Sequence, residues 1–201
     1  MKFKVKDTFV CIASGPSLTL EDVKFVKSMN CTVIAVNDCW KMAPWADFLY
    51  ACDARWWDFN NGVPQFSGNK ISLEKTKYKD VLSMKQGERL GLSYEWPILC
   101  TGYNSGYQAV NLAILLGAKK VILLGYDMKY KNGKKHWFGD HKELQNPIEN
   151  KLRKWAKYFK SIKDNLKNGE IIINCTRETA IDCFPIISLK EAFNEQMGAV
   201  A

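Results

Sequence analysis

Both histidines of the chain fall in one six-residue stretch, His136-Trp137-Phe138-Gly139-Asp140-His141, which follows the basic run from Lys129 to Lys135. Histidine is the side chain best suited to move a proton near neutral pH, so this segment is a candidate for general acid/base chemistry. Two other readings stand beside it. The histidines act as structural or capping groups, or they ligate a metal, although His, Asp and His alone lack the further well-spaced ligand such a site needs. Other candidates are polar residues directly after apolar runs: Ser14-Gly15-Pro16-Ser17, Asn37-Asp38, Asp53-Ala54-Arg55, Gly125-Tyr126-Asp127 and Asn174-Cys175-Thr176-Arg177. Ligands of an open parallel sheet bind outside the carboxyl ends of its strands, which is where such residues would lie.

At the first of these ends Gly15 lets the backbone approach a ligand closely, and Ser14 and Ser17 offer hydroxyls. The helix that follows is expected to aim free N–H groups at an anion. A plain strand-to-helix turn uses the same residues, and the loop is neither the six-position dinucleotide fingerprint nor a Walker loop. Its weight comes from the other strand ends. Asn37 and Asp38 can bond a ribose or a base edge, or cap a helix. Thr101-Gly102-Tyr103-Asn104-Ser105-Gly106 repeats the physics of the first loop at the start of a second helix, so one nucleotide could lie between two helix starts.

Placing these ends side by side requires alternating strands and helices. Thr8–Ala13 is a short uncharged strand ending at a Gly-Pro turn, and Leu20–Met29 is a helix with Thr19 as N-cap and Asp22 near the capping-box position. Strands at Thr32–Val36 and Asp47–Cys52 complete a βαβ pattern, which calls for a parallel sheet. From Asn60 to Trp96 the chain is rich in Gly, Asn, Lys and Ser, and only Lys70–Leu73 carries a weak strand signal. Gly106–Leu116 reads as a helix closed by Gly117, Val121–Leu124 as a buried strand and Pro147–Leu166 as a basic amphipathic helix. A strand at Ile171–Ile173 and a short helix from Ser188 follow. The expected fold is α/β: a single Rossmann-like domain over residues 1–201, with a mostly parallel sheet and helices on both faces.

Composition narrows the class. At 201 residues and 47% hydrophobic the chain can build one sizeable core but is short for two domains. No apolar run approaches the roughly 18 to 20 residues of a membrane span, and Met1–Asp7 lacks the apolar segment of a secretory signal, so a cytoplasmic protein is expected. Seven cysteines without a C-x-x-C pair are expected to be reduced structural thiols. The net charge of +8 concentrates in Lys129–Lys135 and Lys151–Lys167. The second run is either a solvated face or a surface for nucleic acid, whereas the first follows a strand end, where ligands bind.

Together these motifs resemble, in the same order, a bacterial sialyltransferase family that uses a CMP-activated sugar. They resemble more loosely the related proteins that include a hydroxymethylpterin pyrophosphokinase, and uncharacterised proteins of phage and prophage genomes. Gly15-Pro16-Ser17-Leu18 is similar to the family's first nucleotide-binding loop, and Val36-Asn37 to the asparagine after its second strand. Asn104-Ser105-Gly106 and Gly125-Tyr126-Asp127 are similar to its Ser-Gly helix and Gly-x-Asp strand end. The resemblance implies a nucleotide site that includes Ser14 and Asp53, which stand where the family has asparagines. It implies His141 as catalytic base, with His136 behind it, and Tyr130 as the residue that steadies the leaving phosphate.

The expectation is thus a glycosyltransferase-like enzyme that binds a nucleotide-activated sugar and needs no metal. Two alternatives differ in kind. One is a pyrophosphokinase or nucleotidyl enzyme whose Mg²⁺ is held by Asp38, Asp53 or Asp127. The other is a non-catalytic binder of nucleotides, or of nucleic acid through Lys151–Lys167.

Overall fold

The computed structural model describes residues 3–141, 143–144 and 146–197. In chain order the elements are β1 (Thr8–Ile12), α1 (Leu20–Lys27), β2 (Thr32–Val36), a 3₁₀ turn (Asn37–Lys41), β3 (Phe48–Ala51), α2 (Ala54–Phe59), β4 (Asn69–Ser72), β5 (Val81–Ser83), β6 (Lys85–Gln86), β7 (Ile98–Leu99), α3 (Ser105–Leu115), β8 (Lys120–Leu124), α4 (Glu149–Lys163), β9 (Ile171–Asn174) and α5 (Leu189–Met197). Seven strands form one sheet in the order β5-β4-β3-β2-β1-β8-β9, while β6 and β7 pair separately. Every pairing is parallel, with Cys11 of β1 opposite both Ile34 of β2 and Leu123 of β8.

Side chains along a strand alternate between faces, so each buried strand feeds two cores. On β1, Phe9 and Cys11 join Tyr107 and Val110 of α3 and Ala156 and Phe159 of α4. Val10 and Ile12 join Val23 and Val26 of α1, Trp57 of α2 and Phe193 of α5 on the other face. This is the Rossmann-like α/β arrangement expected, with helices on both faces. Among the described residues no helix is long and apolar enough to cross a membrane. All seven cysteines are free thiols.

Local signals are obeyed where they are strong. Thr19 caps α1 through a full capping box with Asp22, and Gly117 follows α3 at φ +98°. Residues 60–96, by contrast, hold β4, β5 and β6, and α2 lies just before them. In β4 the buried Lys70 sends its ammonium to the Gly62 carbonyl (2.9 Å) and to Asp80 (2.7 Å), so a lysine occupies a position that pattern reading reserves for an apolar residue.

From β1 the sheet grows outward through β2 to β5, and then the chain crosses back to add β8 and β9 on the other side. The helix after β1 covers one face and the helix after β8 the other. Their connections therefore part at the carboxyl ends of β1 and β8, the switch point where α/β sheets hold ligands.

Candidate active site

Glycine lets the ends of β1 and β8 touch. The Gly15 N–H donates to the Gly125 carbonyl at 2.8 Å, and a Cβ on Gly15 would overlap both that carbonyl oxygen and Oδ1 of Asp127. Gly125 itself sits at φ +72°, with the Ala13 carbonyl where its Cβ would be. Gly15→Ala is therefore expected to cost about 1–3 kcal/mol, as overpacking does. A urea unfolding midpoint equal to that of the wild type would show that the two loops can part freely.

Beyond these ends lies a cleft of about 650 Å³. Ser14, Gly15, Pro16, Asn37, Asp53, Asn104, Ser105, Gly106 and Asp127 line it, together with His136 and His141. Ser17, Asp38 and Tyr130 stand elsewhere, as does the Asn174-Cys175-Thr176-Arg177 end of β9, where Arg177 binds Asp22 at 2.6 Å. Ser17 is buried behind the first loop, Asp38 is buried behind His141, and Tyr130 spends its hydroxyl on the Pro147 carbonyl at 2.7 Å.

The first loop is a wall of the cleft and not the expected anion cradle. Most of its N–H groups are already taken: Gly15 by the Gly125 carbonyl, Ser17 by Asp127 Oδ2 (2.9 Å), Leu18 by the Gly15 carbonyl (3.1 Å) and, just after it, Thr19 by Asp22 (3.3 Å). Asp127 also places a carboxylate beneath it. Burial, opposed by hydrogen bonds from Ser17, pushes the Asp127 pKa up to about 6. At α3 the balance is different. Asn104 Oδ1 accepts from the Tyr107 N–H at 2.8 Å, while the N–H groups of Ser105 and Gly106 have no acceptor among the described residues. Lys129, Lys135, Lys151 and Arg89 bring positive charge to the same cleft. Of the basic run, Lys131 binds Glu178 at 2.7 Å, Lys129 approaches the same carboxylate at 3.6 Å, and Lys135 binds Asp140 at 2.6 Å.

Three non-glycine residues at the cleft adopt left-handed backbone: Asn37 (φ 49°), Tyr103 (φ 60°) and Met128 (φ 50°). Such strain is retained where surrounding structure enforces it, and it concentrates at functional sites.

The histidine segment folds back on the first loop. The Trp137 N–H donates to the Ser14 carbonyl at 3.1 Å, and His136 Nδ1 lies 3.0 Å from Ser14 Oγ. Phe138 stacks on His136 with centroids 5.0 Å apart, and His141 meets His136 at 4.9 Å. Asn146 clamps the His141 backbone from both sides, accepting its N–H (2.8 Å) and donating to its carbonyl (2.7 Å). Asp38 Oδ2 stands 4.0 Å from His141 Nδ1. The Asp38 carboxylate is itself held by Lys41 and by Trp56 Nε1.

Burial lowers the His141 pKa below the ordinary imidazole value; Asp38 opposes this and Lys41 adds to it. Burial, with the neighbouring His141, lowers His136 further, to about 4. Both rings are therefore neutral at pH 7.

No protein-family model, curated protein or solved structure matches this chain. The cleft itself must therefore carry the functional argument. It contains residues that no sequence signal marked, Gln86 and Arg89 from the unpatterned segment, beside Tyr103 of the second loop and Trp155 of α4. It also brings Glu74 into the cleft with Asp53, whose pKa rises through burial first and the Glu74 charge second.

Proposed function

We propose that the cleft binds a nucleotide-activated sugar and that the chain is a glycosyltransferase-like enzyme. The observation that carries this reading is His141, a neutral imidazole in the switch-point cleft with a buried carboxylate behind its Nδ1. The acceptor oxygen bonds to the anomeric carbon, the bond from that carbon to the phosphate oxygen breaks, and its electron pair leaves with the phosphate. His141 takes the acceptor proton on Nε2, the nitrogen away from Asp38, and Asp38 stabilises the imidazolium so formed. Charge on the departing phosphate is met by Lys129, Lys135 and the N–H groups at the start of α3. Tyr130 is left out because its hydroxyl is engaged with Pro147, while Lys129 and Lys135 exchange their present partners, Glu178 at 3.6 Å and Asp140 at 2.6 Å, for the phosphate. The resemblance to CMP-sugar-dependent sialyltransferases agrees with this reading, because Gly15, Asn37, Ser105, Gly106 and Asp127 share the one cleft.

A thermal-shift screen of CMP, UDP, ADP, GDP and their sugar conjugates tests the binding half. A ligand at a hundred times its Kd adds about 2.7 kcal/mol of stability, so one nucleotide family is expected to raise Tm clearly. A flat result across all of them would overturn the proposal.

The Mg²⁺-dependent nucleotidyl alternative retains one favourable observation, that Asp53 and Glu74 face the same cleft with mutual repulsion. Asp38 and Asp127 fit a cation less well, the first because Lys41 holds it and the second because Ser17 and burial do. Activity that persists in a strong chelator would exclude this alternative.

A further inference from the structure

The segment least legible in the sequence forms one wall of the cleft. Lys85 and Gly87 donate to the carbonyls of Pro97 and Leu99, both at 2.8 Å, and Thr101 and Gly102 donate back to Glu88 (2.9 Å) and Arg89 (2.8 Å). Residues 85–89 thus run beside 97–102 as a ribbon, which sets Gln86 opposite Leu99 and Arg89 beside Gly102, the residue before Tyr103. Gln86, Arg89 and Tyr103 line the cleft.

Tyr103 stands at φ +60°, a conformation that costs an L residue roughly 1–2 kcal/mol, yet its side chain is 48% exposed. Among the described residues its ring meets one other, that of Tyr158, at 5.7 Å. The preceding Gly102, at φ +50°, shows what this backbone selects when packing alone decides, because the Tyr107 ring occupies the place of its Cβ. A large exposed aromatic is held at strained backbone inside the cleft without burying itself. The side chains of Gln86 and Arg89 make no hydrogen bond or ion pair among the described residues, so their donors are free.

We propose that Tyr103 is the platform on which the nucleobase of the ligand stacks, and that Arg89 and Gln86 bond its polar edge. This rests on the nucleotide reading of the cleft. The phosphate lies toward the start of α3 and the lysines, and the base lies over Tyr103. Two parallel donors on one guanidinium match adjacent acceptors, so Arg89 selects a base that presents such a pair, as guanine and cytosine do, over adenine.

Calorimetric titration of CMP, GMP, AMP, UMP and inorganic pyrophosphate into wild type, Tyr103→Gly, Tyr103→Phe and Arg89→Ala tests this. Glycine relieves the positive φ, so a loss of binding in Tyr103→Gly does not come from a damaged fold, and its Tm is expected to be no lower than that of the wild type. Alanine substitutions at base-stacking aromatics cost on the order of tenfold or more in affinity. The expected result is a loss of that size for the preferred mononucleotide in Tyr103→Gly, recovery in Tyr103→Phe, unchanged pyrophosphate binding, and preference among bases lost in Arg89→Ala. Equal mononucleotide binding by wild type and Tyr103→Gly would remove the platform and leave the nucleotide cleft standing. An equal loss of pyrophosphate would reassign Tyr103 to the anion site and overturn the base assignment. Failure of the wild type to bind any mononucleotide would overturn the nucleotide reading itself, and this inference with it.

Discussion

Replacing His141 by alanine is expected to lower kcat for sugar transfer by about 10²- to 10⁴-fold, the usual contribution of a positioned general base. The Kd of the nucleotide donor should change little, because the ring acts on the acceptor proton and not on the phosphate. His141 is neutral across the physiological range, so the wild-type rate should be flat there and fall on the acid side, below the ordinary imidazole pKa, as the ring protonates. Asp38→Asn supplies a second reading of the same geometry. The Asp38 charge raises the His141 pKa, so its loss shifts the acid limb to lower pH, which a purely structural carboxylate would not do. Transfer that survives intact in His141→Ala, measured with the donor identified by thermal shift, would move the base elsewhere, first of all to His136.

Buried Asp127 and half-buried His136 should set opposite pH dependences of stability. Asp127 titrates near 6 in the folded chain, above its ordinary value, so its contribution is full below the ordinary carboxylate pKa and is lost as pH rises through 6. His136 titrates near 4, below its ordinary value, so its contribution is full above about 6.5 and is lost as pH falls toward 4. One pKa unit corresponds to about 1.36 kcal/mol, which makes each effect about 3 kcal/mol.

Between pH 4 and 6 the two slopes cancel in the wild type. In Asp127→Asn the histidine slope remains, and stability relative to wild type should climb by about 2–3 kcal/mol from pH 4 to 6. At pH 7 that variant should be the more stable one, since it no longer buries an ionised carboxylate while its amide oxygen can still accept from Ser17. His136→Gln should show the opposite trend. Urea unfolding of the three proteins across this range measures the differences, in which exposed carboxylates common to all drop out. Parallel curves would mean that neither group is perturbed.

The sheet was legible wherever a strand is buried on both faces, because only apolar runs survive there. β1, β2 and β8 are such strands. Thr19 and Gly117 were legible because caps are local chemistry. β4 (Asn69–Ser72) showed only as the weak signal at Lys70–Leu73, since the partners that make its buried Lys70 tolerable, Gly62 and Asp80, lie eight and ten residues away along the chain. The candidate site divides in the same way. Residues at the ends of β1, β2, β3 and β8 fall in the cleft because topology sends them there, whereas the end of β9, with Arg177 paired to Asp22, lies outside it. The state of the first loop escaped local reading because the acceptor for the Ser17 N–H, Asp127, is 110 residues distant. Asp38 looked like a ligand-binding carboxylate, and only the approach of Lys41 and Trp56 makes it a support for His141. Arg89 carries no signal at all, because its placement depends on backbone bonds to Gly102 and not on periodicity.

The pairing of β6 with β7 has a consequence for how such a chain can change. The ribbon shares no ladder with the seven-stranded sheet, so residues 85–89 can be rewritten without disturbing the register that holds β1 against β8. On the proposed function, altering Gln86 and Arg89, or exchanging the ribbon whole, would redirect which nucleotide the cleft accepts while His141, carried by another connection, stays in place. Under that proposal recognition and chemistry would be separable modules on one scaffold, open to independent drift or design.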